Sequence, residues 1–285
     1  MSEYLLYRIG RSIAFHTPLK LGYKIAAFIS DLRLLFAAED RRIARENLKV
    51  IFPQKTEREI HRVRIRMFRN FAKYLVDFFR FEKLDPDFIK KNIRIENIRY
   101  FDEAIGKGKG VIALTAHIGN WELGGVVIAL LGYPFWAVAL PHKDKRVDDF
   151  FNSQRESKGV HVIPLGKAVR SCLKVLEENK MVALAGDRDF TETGIVFDFF
   201  GRDAFFPEGP AAFSLKTGAT IVPGFMLRNH DDTFTLRIEK PIDYAPSGDK
   251  EKDLREIISR YIVIFEDYIR KYPDQWYMFR RFWIQ

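Results

Sequence analysis

The fold is decided by the stretch Val111-Ile-Ala-Leu-Thr-Ala-His-Ile-Gly-Asn-Trp-Glu-Leu-Gly-Gly125. Its first half is a run of apolar residues typical of a buried strand, and Asn120 is a residue type that caps helices. Similar apolar runs alternate with helical segments further along, at residues 135–140, 160–164, 181–186 and 220–226, with a late edge strand expected at 234–238. The pattern predicts an α/β fold with a central mixed sheet flanked by helices.

Residues 1–100 have a different pattern, which predicts a helical layer. Thr56 and Glu59 have the spacing of a capping box, and apolar residues follow at near-helical intervals. The sequence contains no repeat and no linker long enough to separate independent domains. We therefore expect one composite domain over residues 1–285, with the α/β core in residues 101–285.

The composition points to an anionic partner. The chain of 285 residues carries 47 Lys and Arg against 38 Asp and Glu, a formal charge of +9. Phospholipid headgroups, a phosphorylated substrate, an acidic protein and nucleic acid all fit this charge, although no nucleic-acid partner is expected. The single cysteine, Cys172, excludes an internal disulfide, and its apolar neighbours predict a buried, inert thiol.

Residues 4–36 predict a membrane-associating region. Apolar residues alternate there with basic ones, as in a helix that lies in a bilayer interface, and the spaced charges argue against a span. The alternative is an amphipathic helix packed on its own domain. The C-terminal segment combines Arg280 and Arg281 with several aromatic residues. It also has two interpretations, an anchor in the membrane interface or burial of the aromatic residues against the core.

His117 and Glu122 are the candidate catalytic pair. His117 ends the predicted strand, and Glu122 falls in the first helical turn, from which it could return to the imidazole. A histidine oriented by a carboxylate can take a proton from an attacking hydroxyl; the alternative is a structural histidine satisfied by a nearby acid. The sequence contains no nucleophile elbow, Walker A, His-Glu-x-x-His or Cys-x-x-Cys motif, so neither a metal nor a cofactor is predicted.

Several other polar residues are expected near this pair. Arg155, Asp187 and Arg188 follow or end elements that face the end of the sheet where α/β folds bind ligands, and the arginines suit a phosphate. The alternative is an ordinary ion pair. Asn120 is a further candidate for substrate binding, although a helix cap explains it better.

The stretch 115–123 resembles late acyltransferases of lipid A biosynthesis, and its His-x4-Glu spacing resembles the His-x4-Asp/Glu motif of glycerolipid acyltransferases. The resemblance continues through Asn47-Leu...Phe-Pro53, Arg155-x3-Gly159, Asp187-Arg188, Phe199-Phe-Gly201 and Gln275-Trp...Arg280-Arg281. It implies transfer of a fatty acyl chain from an acyl carrier protein or coenzyme A thioester to a lipid A precursor. The expected location is the cytoplasmic face of the inner membrane, in a peripheral or monotopic arrangement.

The same resemblance implies that Glu208 and Gly209 shape the acceptor or oxyanion region. Phe206-Pro-Glu-Gly209 is closer to the Pro-Glu-Gly motif of phosphatidylinositol mannoside acyltransferases than to the usual lipid A pattern. A mannosylated phosphoinositide or a lysophospholipid is therefore an alternative acceptor. A non-catalytic lipid-binding module is the remaining alternative.

Overall fold

The computed structural model describes residues 3–189 and 193–284, in which helices and strands alternate as the sequence predicts. The helices of these residues are α1 (Glu3–His16), α2 (Leu19–Phe36), α3 (Ala38–Ile51), α4 (Glu57–Phe79), α5 (Pro86–Asn92), α6 (Arg99–Ile105), α7 (Trp121–Leu130), α8 (Lys145–Glu156), α9 (Ala168–Glu177), α10 (Gly209–Thr217) and α11 (Lys250–Lys271). The strands are β1 (Ile93–Glu96), β2 (Val111–Thr115), β3 (Phe135–Ala139), β4 (His161–Pro164), β5 (Met181–Ala185), β6 (Ile195–Phe199), β7 (Arg202–Phe206), β8 (Thr220–Arg228) and β9 (Phe234–Ile238).

A seven-stranded mixed sheet forms the centre of the molecule, in the order β1-β9-β8-β2-β5-β3-β4. Its pairs are parallel except for β8 with β9, which run antiparallel. This confirms the predicted α/β class with a mixed sheet and an N-terminal helical layer. The expectation that residues 234–238 form an edge strand is wrong, because β1 pairs with the outer side of β9. The sequence pattern also gave no indication of β1 or of the β6–β7 hairpin.

The sheet separates two hydrophobic clusters because successive side chains of a strand point to opposite faces. Ile112 and Leu114 of β2 belong to the cluster that includes α9, α10 and α11. Val111 and Ala113 belong to the cluster that includes α6 and α7. Cys172 is buried in the first cluster, where burial raises the pKa of its thiol to about 12.

The helical layer is fastened to the sheet through α4. The predicted capping box at its start is present: the Thr56 hydroxyl accepts a hydrogen bond from the Glu59 amide, and the Glu59 carboxylate accepts one from the Thr56 amide. Near its end, the buried Asp77 carboxylate accepts hydrogen bonds from Arg228 of β8, Tyr23 of α2 and Asn120. One buried carboxylate therefore joins two helices, a strand and the turn after β2.

The C-terminal tail packs into the core. Trp276, Tyr277 and Trp283 are buried, and the Trp283 indole N–H donates to the Phe199 carbonyl at 2.7 Å. Burial against the core, one of the two interpretations of this segment, is therefore the correct one for these aromatic rings.

Candidate active site

The site lies where β2 and β5 end side by side. The two strands are parallel and in register, with Thr115 opposite Ala185, and the Gly186 amide continues the ladder to the Thr115 carbonyl at 2.8 Å. His117 and Asp187 are each the second residue after their strand. Parallel strands in register therefore bring these two side chains together at the carboxyl edge of the sheet.

Asp187 binds His117 through both carboxylate oxygens. Its Oδ1 accepts a hydrogen bond from His117 Nδ1 at 2.7 Å, and its Oδ2 accepts one from the His117 backbone amide at 3.1 Å. The Trp276 indole N–H donates to the same Oδ2 at 3.1 Å. Asp187 is fully buried, so these three donors fix its carboxylate and, through it, the imidazole.

His117 therefore donates its hydrogen bond to Asp187, and not to Glu122 as was expected from the sequence. Glu122 instead accepts two hydrogen bonds from Arg155, at 2.8 Å from Nε and 2.6 Å from Nη2. Glu122 projects from the first turn of α7 and Arg155 from the last turn of α8, so the pair ties these helices together. The sequence suggested that the guanidinium of Arg155 binds a phosphate. In the structure, two of its nitrogens are instead hydrogen-bonded to this carboxylate.

The protonation of the pair suits a base. Burial lowers the pKa of His117 below its usual value, although the Asp187 charge partly opposes this. Burial alone would raise the pKa of Asp187. This effect is outweighed by the charge and hydrogen bonds of His117, together with the charge of Arg188, which hold the pKa at about 2. A neutral His117 that donates from Nδ1 leaves the lone pair on Nε2, which has no hydrogen-bond partner among the described residues.

A tight turn carries the chain from His117 into α7. Gly119 has φ +66°, and a Cβ on it would lie 2.0 Å from the Met226 carbonyl oxygen. The Gly119 amide donates to the Gln275 carbonyl, and the Asn120 amide donates to the Met226 carbonyl, both at 2.8 Å. The Asn120 side chain caps α7 by accepting from the Leu123 amide at 3.0 Å. Its amide is buried and bonded to the protein at both ends, so structural contacts account for it.

Arg188 lies beside the His117–Asp187 pair. Its Nη2 donates to the Tyr277 carbonyl, and its Nε is buried without a hydrogen-bond partner among the described residues. Burial, the largest effect, lowers the pKa of His117 and would raise that of Asp187, whereas the positive charge of Arg188 lowers both. Arg188 thus favours the neutral form of His117.

Glu208 and Gly209 stand at the start of α10. This helix leads back to the start of β8, so its first turn lies toward the edge at which β2 ends. Glu208 is exposed, and no hydrogen bond or ion pair links it to His117 or Asp187 in the described part of the chain. The two residues thus lie toward the same edge of the sheet as the pair, with no hydrogen bond to it among the described residues.

Comparison with known proteins gives the family of the chain. The family model described as bacterial lipid A biosynthesis acyltransferase matches residues 2–285. The chain belongs to this acyltransferase family. The acyltransferase is 30% identical over 219 residues to a phosphatidylinositol mannoside acyltransferase of Mycolicibacterium smegmatis, covering 75% of this chain and 70% of that protein.

More distant similarity joins the acyltransferase to proteins named for lipid A. It is 22% identical over 243 residues to a lipid A biosynthesis acyltransferase of Haemophilus influenzae, covering 84% of this chain and 74% of the relative. It is 24% identical over 266 residues to a lipid A biosynthesis palmitoleoyltransferase of Escherichia coli, covering 92% and 83%. The comparisons thus give the reaction class, acyl transfer.

Sequence reasoning assigned Asp187 to substrate binding and gave Trp276 no role in the site. The signal for Asp187 was its place two residues after a predicted strand, the same offset as His117. Using that signal requires the knowledge that β2 and β5 are neighbours. Trp276 does not follow a predicted strand, because it belongs to the C-terminal segment, so its sequence position does not indicate a role in the site.

Proposed function

We propose that the protein transfers a fatty acyl chain from an acyl thioester to a hydroxyl group of an anionic glycolipid, with His117 as general base. The observation that carries the proposal is the His117–Asp187 pair, in which Asp187 is fully buried, the imidazole is 15% exposed, and Nε2 has no hydrogen-bond partner in the described part of the chain. Glu122 acts in this proposal through its pairing with Arg155, as a positioning residue for α7, and Asp187 is the carboxylate that orients the base.

The reaction follows from this geometry. Nε2 of His117 accepts the proton of the acceptor hydroxyl while the oxygen attacks the thioester carbonyl, and Asp187 stabilises the imidazolium that forms. The tetrahedral intermediate collapses by breaking its carbon–sulfur bond, and the departing thiolate takes the proton from Nε2. The products are an ester and a free thiol, and no covalent intermediate with the enzyme is needed.

The backbone amides of the first turn of α10 are the proposed donors to the developing oxyanion. A helix N-terminus has free N–H groups and a positive partial charge, both of which favour an anionic oxygen. In this proposal Gly209 lets substrate approach the backbone closely, and Glu208 contacts the acceptor. Arg188, beside the pair, is the proposed contact for an acceptor phosphate.

The proposed working place is an inner membrane surface on the cytoplasmic side, with acyl carrier protein favoured over coenzyme A as the donor. Large apolar side chains on α1 and α2 are exposed: Leu5, Leu6, Ile9, Ile13, Leu21, Phe28, Ile29, Leu32, Leu35 and Phe36. So many exposed apolar side chains on two consecutive helices are typical of an interface with a membrane or a protein. None of the helices in the described residues is both long and apolar enough to cross a membrane.

Two acceptors have support. A lipid A precursor is favoured by the family model, which matches nearly the whole chain. A phosphatidylinositol mannoside is favoured by the 30% identity to an enzyme named for that lipid and by the Pro207-Glu208-Gly209 segment. Both candidates combine phosphate with sugar hydroxyls, which suits the net charge of +9.

The test is acyl transfer in detergent from labelled acyl carrier protein or acyl coenzyme A to a panel containing a lipid A precursor, a phosphatidylinositol mannoside and a lysophospholipid. We expect one of the glycolipids to be acylated, and His117→Ala to lose nearly all turnover while its circular dichroism stays unchanged. Full activity in folded His117→Ala would overturn the mechanism. Lipid binding by the wild type without product from any donor and acceptor would favour a non-catalytic lipid-binding module.

A further inference from the structure

A polar cavity of about 440 Å³ lies between α1 and α8, and neither His117 nor Asp187 lines it. Its wall carries three arginines, Arg8 and Arg11 from α1 and Arg146 from α8. Glu82 and Gln154 also line it. Small-ligand sites are concave, and a few converging polar groups fix the orientation of the ligand in them.

The charges around the cavity leave one cation in surplus. Arg11 pairs with Glu82 at 2.6 Å, and Arg146 pairs with Asp144 at 2.6 Å. Asp149, in the wall, pairs with Lys145 at 2.8 Å. Arg8 donates to the Tyr4 hydroxyl at 3.1 Å and has no ion-pair partner among the described residues. The cavity therefore suits a ligand with one negative group.

Two buried polar atoms of wall residues also have no hydrogen-bond partner within residues 3–189 and 193–284. They are Oε1 of Gln154, which is only 2% exposed, and Nε of Arg11. Leaving such atoms unpaired costs free energy, so a natural ligand should supply an acceptor for Arg11 and a donor for Gln154. A phosphate oxygen is the acceptor that an arginine prefers, and a hydroxyl is a donor for an amide oxygen.

The position of the cavity on α1 indicates where such a ligand comes from. Leu5, Ile9 and Ile13 recur every four residues and form one exposed apolar stripe. Tyr4, Arg8 and Arg11 form the neighbouring stripe, which lines the cavity. A membrane that covers the apolar stripe would hold its phosphates at the level of the arginines.

We infer that this cavity binds the headgroup of an anionic phospholipid, through a phosphate and a hydroxyl, at a site separate from the reacting centre. The phosphate lies among Arg8, Arg11 and Arg146, and the hydroxyl donates to Gln154 Oε1. The inference rests on the proposed action at a membrane surface. A lipid bound here sets the depth and orientation of the enzyme on the bilayer.

The test measures binding of soluble glycerophosphoglycerol, which carries phosphate and hydroxyls without acyl chains, by titration calorimetry. We expect saturable binding that is at least about tenfold weaker in Arg8→Gln/Arg146→Gln, because two charge-assisted contacts are lost. The control Lys90→Gln/Lys91→Gln loses two exposed charges of α5, outside the cavity, and should bind like the wild type. Arg8→Gln alone, which loses only the bond to Tyr4, serves if the double variant unfolds.

Two further measurements distinguish a lipid headgroup from free phosphate as the ligand, and distinguish this binding site from the proposed acyl transfer. Inorganic phosphate should bind more weakly than glycerophosphoglycerol, and vesicles containing phosphatidylglycerol should bind more tightly than phosphatidylcholine vesicles. Equal binding of inorganic phosphate, or an equal loss of vesicle binding in both double variants, would overturn the headgroup site. His117→Ala should still bind the headgroup, so this site can be established even if acyl transfer fails.

Discussion

At the residue scale, two carboxylates near His117 have different partners and hence different expected effects. Asp187 is hydrogen-bonded to the imidazole, whereas Glu122 is hydrogen-bonded to Arg155. Removing the first changes the base, and removing the second leaves a buried guanidinium without its counter-charge. Their amide variants therefore separate orientation of the base from stability of the fold.

We expect Asp187→Asn to lower kcat by about a hundred- to ten-thousandfold, because the imidazole loses the group that fixes its tautomer and stabilises its charged form. Glu122→Gln should instead lower the free energy of unfolding by about 3–5 kcal/mol through the unpaired Arg155. Steady-state kinetics and denaturant titrations of both variants measure the two effects. A normal kcat in Asp187→Asn would remove Asp187 from the mechanism.

The pH profile follows from the lowered pKa of His117. The base acts in its neutral form, so kcat/KM should rise with pH through that pKa, and the midpoint of the rise should lie below about 6.5, the usual value for histidine. Asp187, with a pKa of about 2, stays ionised throughout. In Asp187→Asn the rise should move to lower pH, because the Asp187 charge raises the pKa of His117. A rise centred above 6.5 would contradict this assignment.

At the element scale, the turn between β2 and α7 depends on contacts with distant parts of the chain. It is bonded to β8 through the Met226 carbonyl and to the C-terminal segment through the Gln275 carbonyl. Only glycine fits at position 119, because the positive φ and the nearby Met226 oxygen both exclude a Cβ. The position of His117 therefore depends on a strand and a tail that follow it by a hundred residues or more in sequence.

Gly119→Ala tests this dependence against a matched variant. Gly108 has a similar φ of +70° but no atom within 4 Å of an added Cβ, so Gly108→Ala should cost only about 1–2 kcal/mol. Gly119→Ala adds the clash with Met226 and should cost more than about 3 kcal/mol. Thermal and denaturant unfolding of the two variants measure the difference. Equal losses would mean that the turn can move away from β8 freely.

At the scale of the whole molecule, the exposed apolar side chains lie on the helical layer, and the polar cavity lies where α1 of this layer meets α8. Phe28 and Phe36 are 70% and 82% exposed on α2, so they contribute little to folding. The network of Asp77, Arg228 and Tyr23 holds α2 against the sheet that carries His117. Docking of this layer on a bilayer would thereby fix the position of the reaction centre relative to the lipid.

Replacing both phenylalanines with serine should weaken vesicle binding by about a hundredfold or more, because burial of each ring in lipid is worth about 1.5–3 kcal/mol. The free energy of unfolding should hardly change. Val263→Ser is the control, since Val263 is 66% exposed on α11, outside the helical layer. Vesicle flotation compares the variants. If Val263→Ser weakened binding as much as the double variant, the proposed membrane face would be wrong.

Local sequence patterns were enough to predict the features that depend on neighbours along the chain. Hydrophobic periodicity predicted β2, α7 and the helical layer, and spacing predicted the capping box at Thr56 and the cap at Asn120, because each arises from contacts within a few residues. The sequence also identified His117 as the candidate base. These features need no knowledge of which strands are neighbours.

The tertiary structure decided which residues meet. Glu122 lies five residues from His117, yet the carboxylate bonded to the imidazole comes from Asp187, seventy residues away, because β5 is paired with β2. The order of strands in a sheet depends on packing over its whole extent, which local periodicity does not record. Tertiary packing likewise pairs the guanidinium of Arg155 with Glu122, and it buries the aromatic residues of the C-terminal segment in the core.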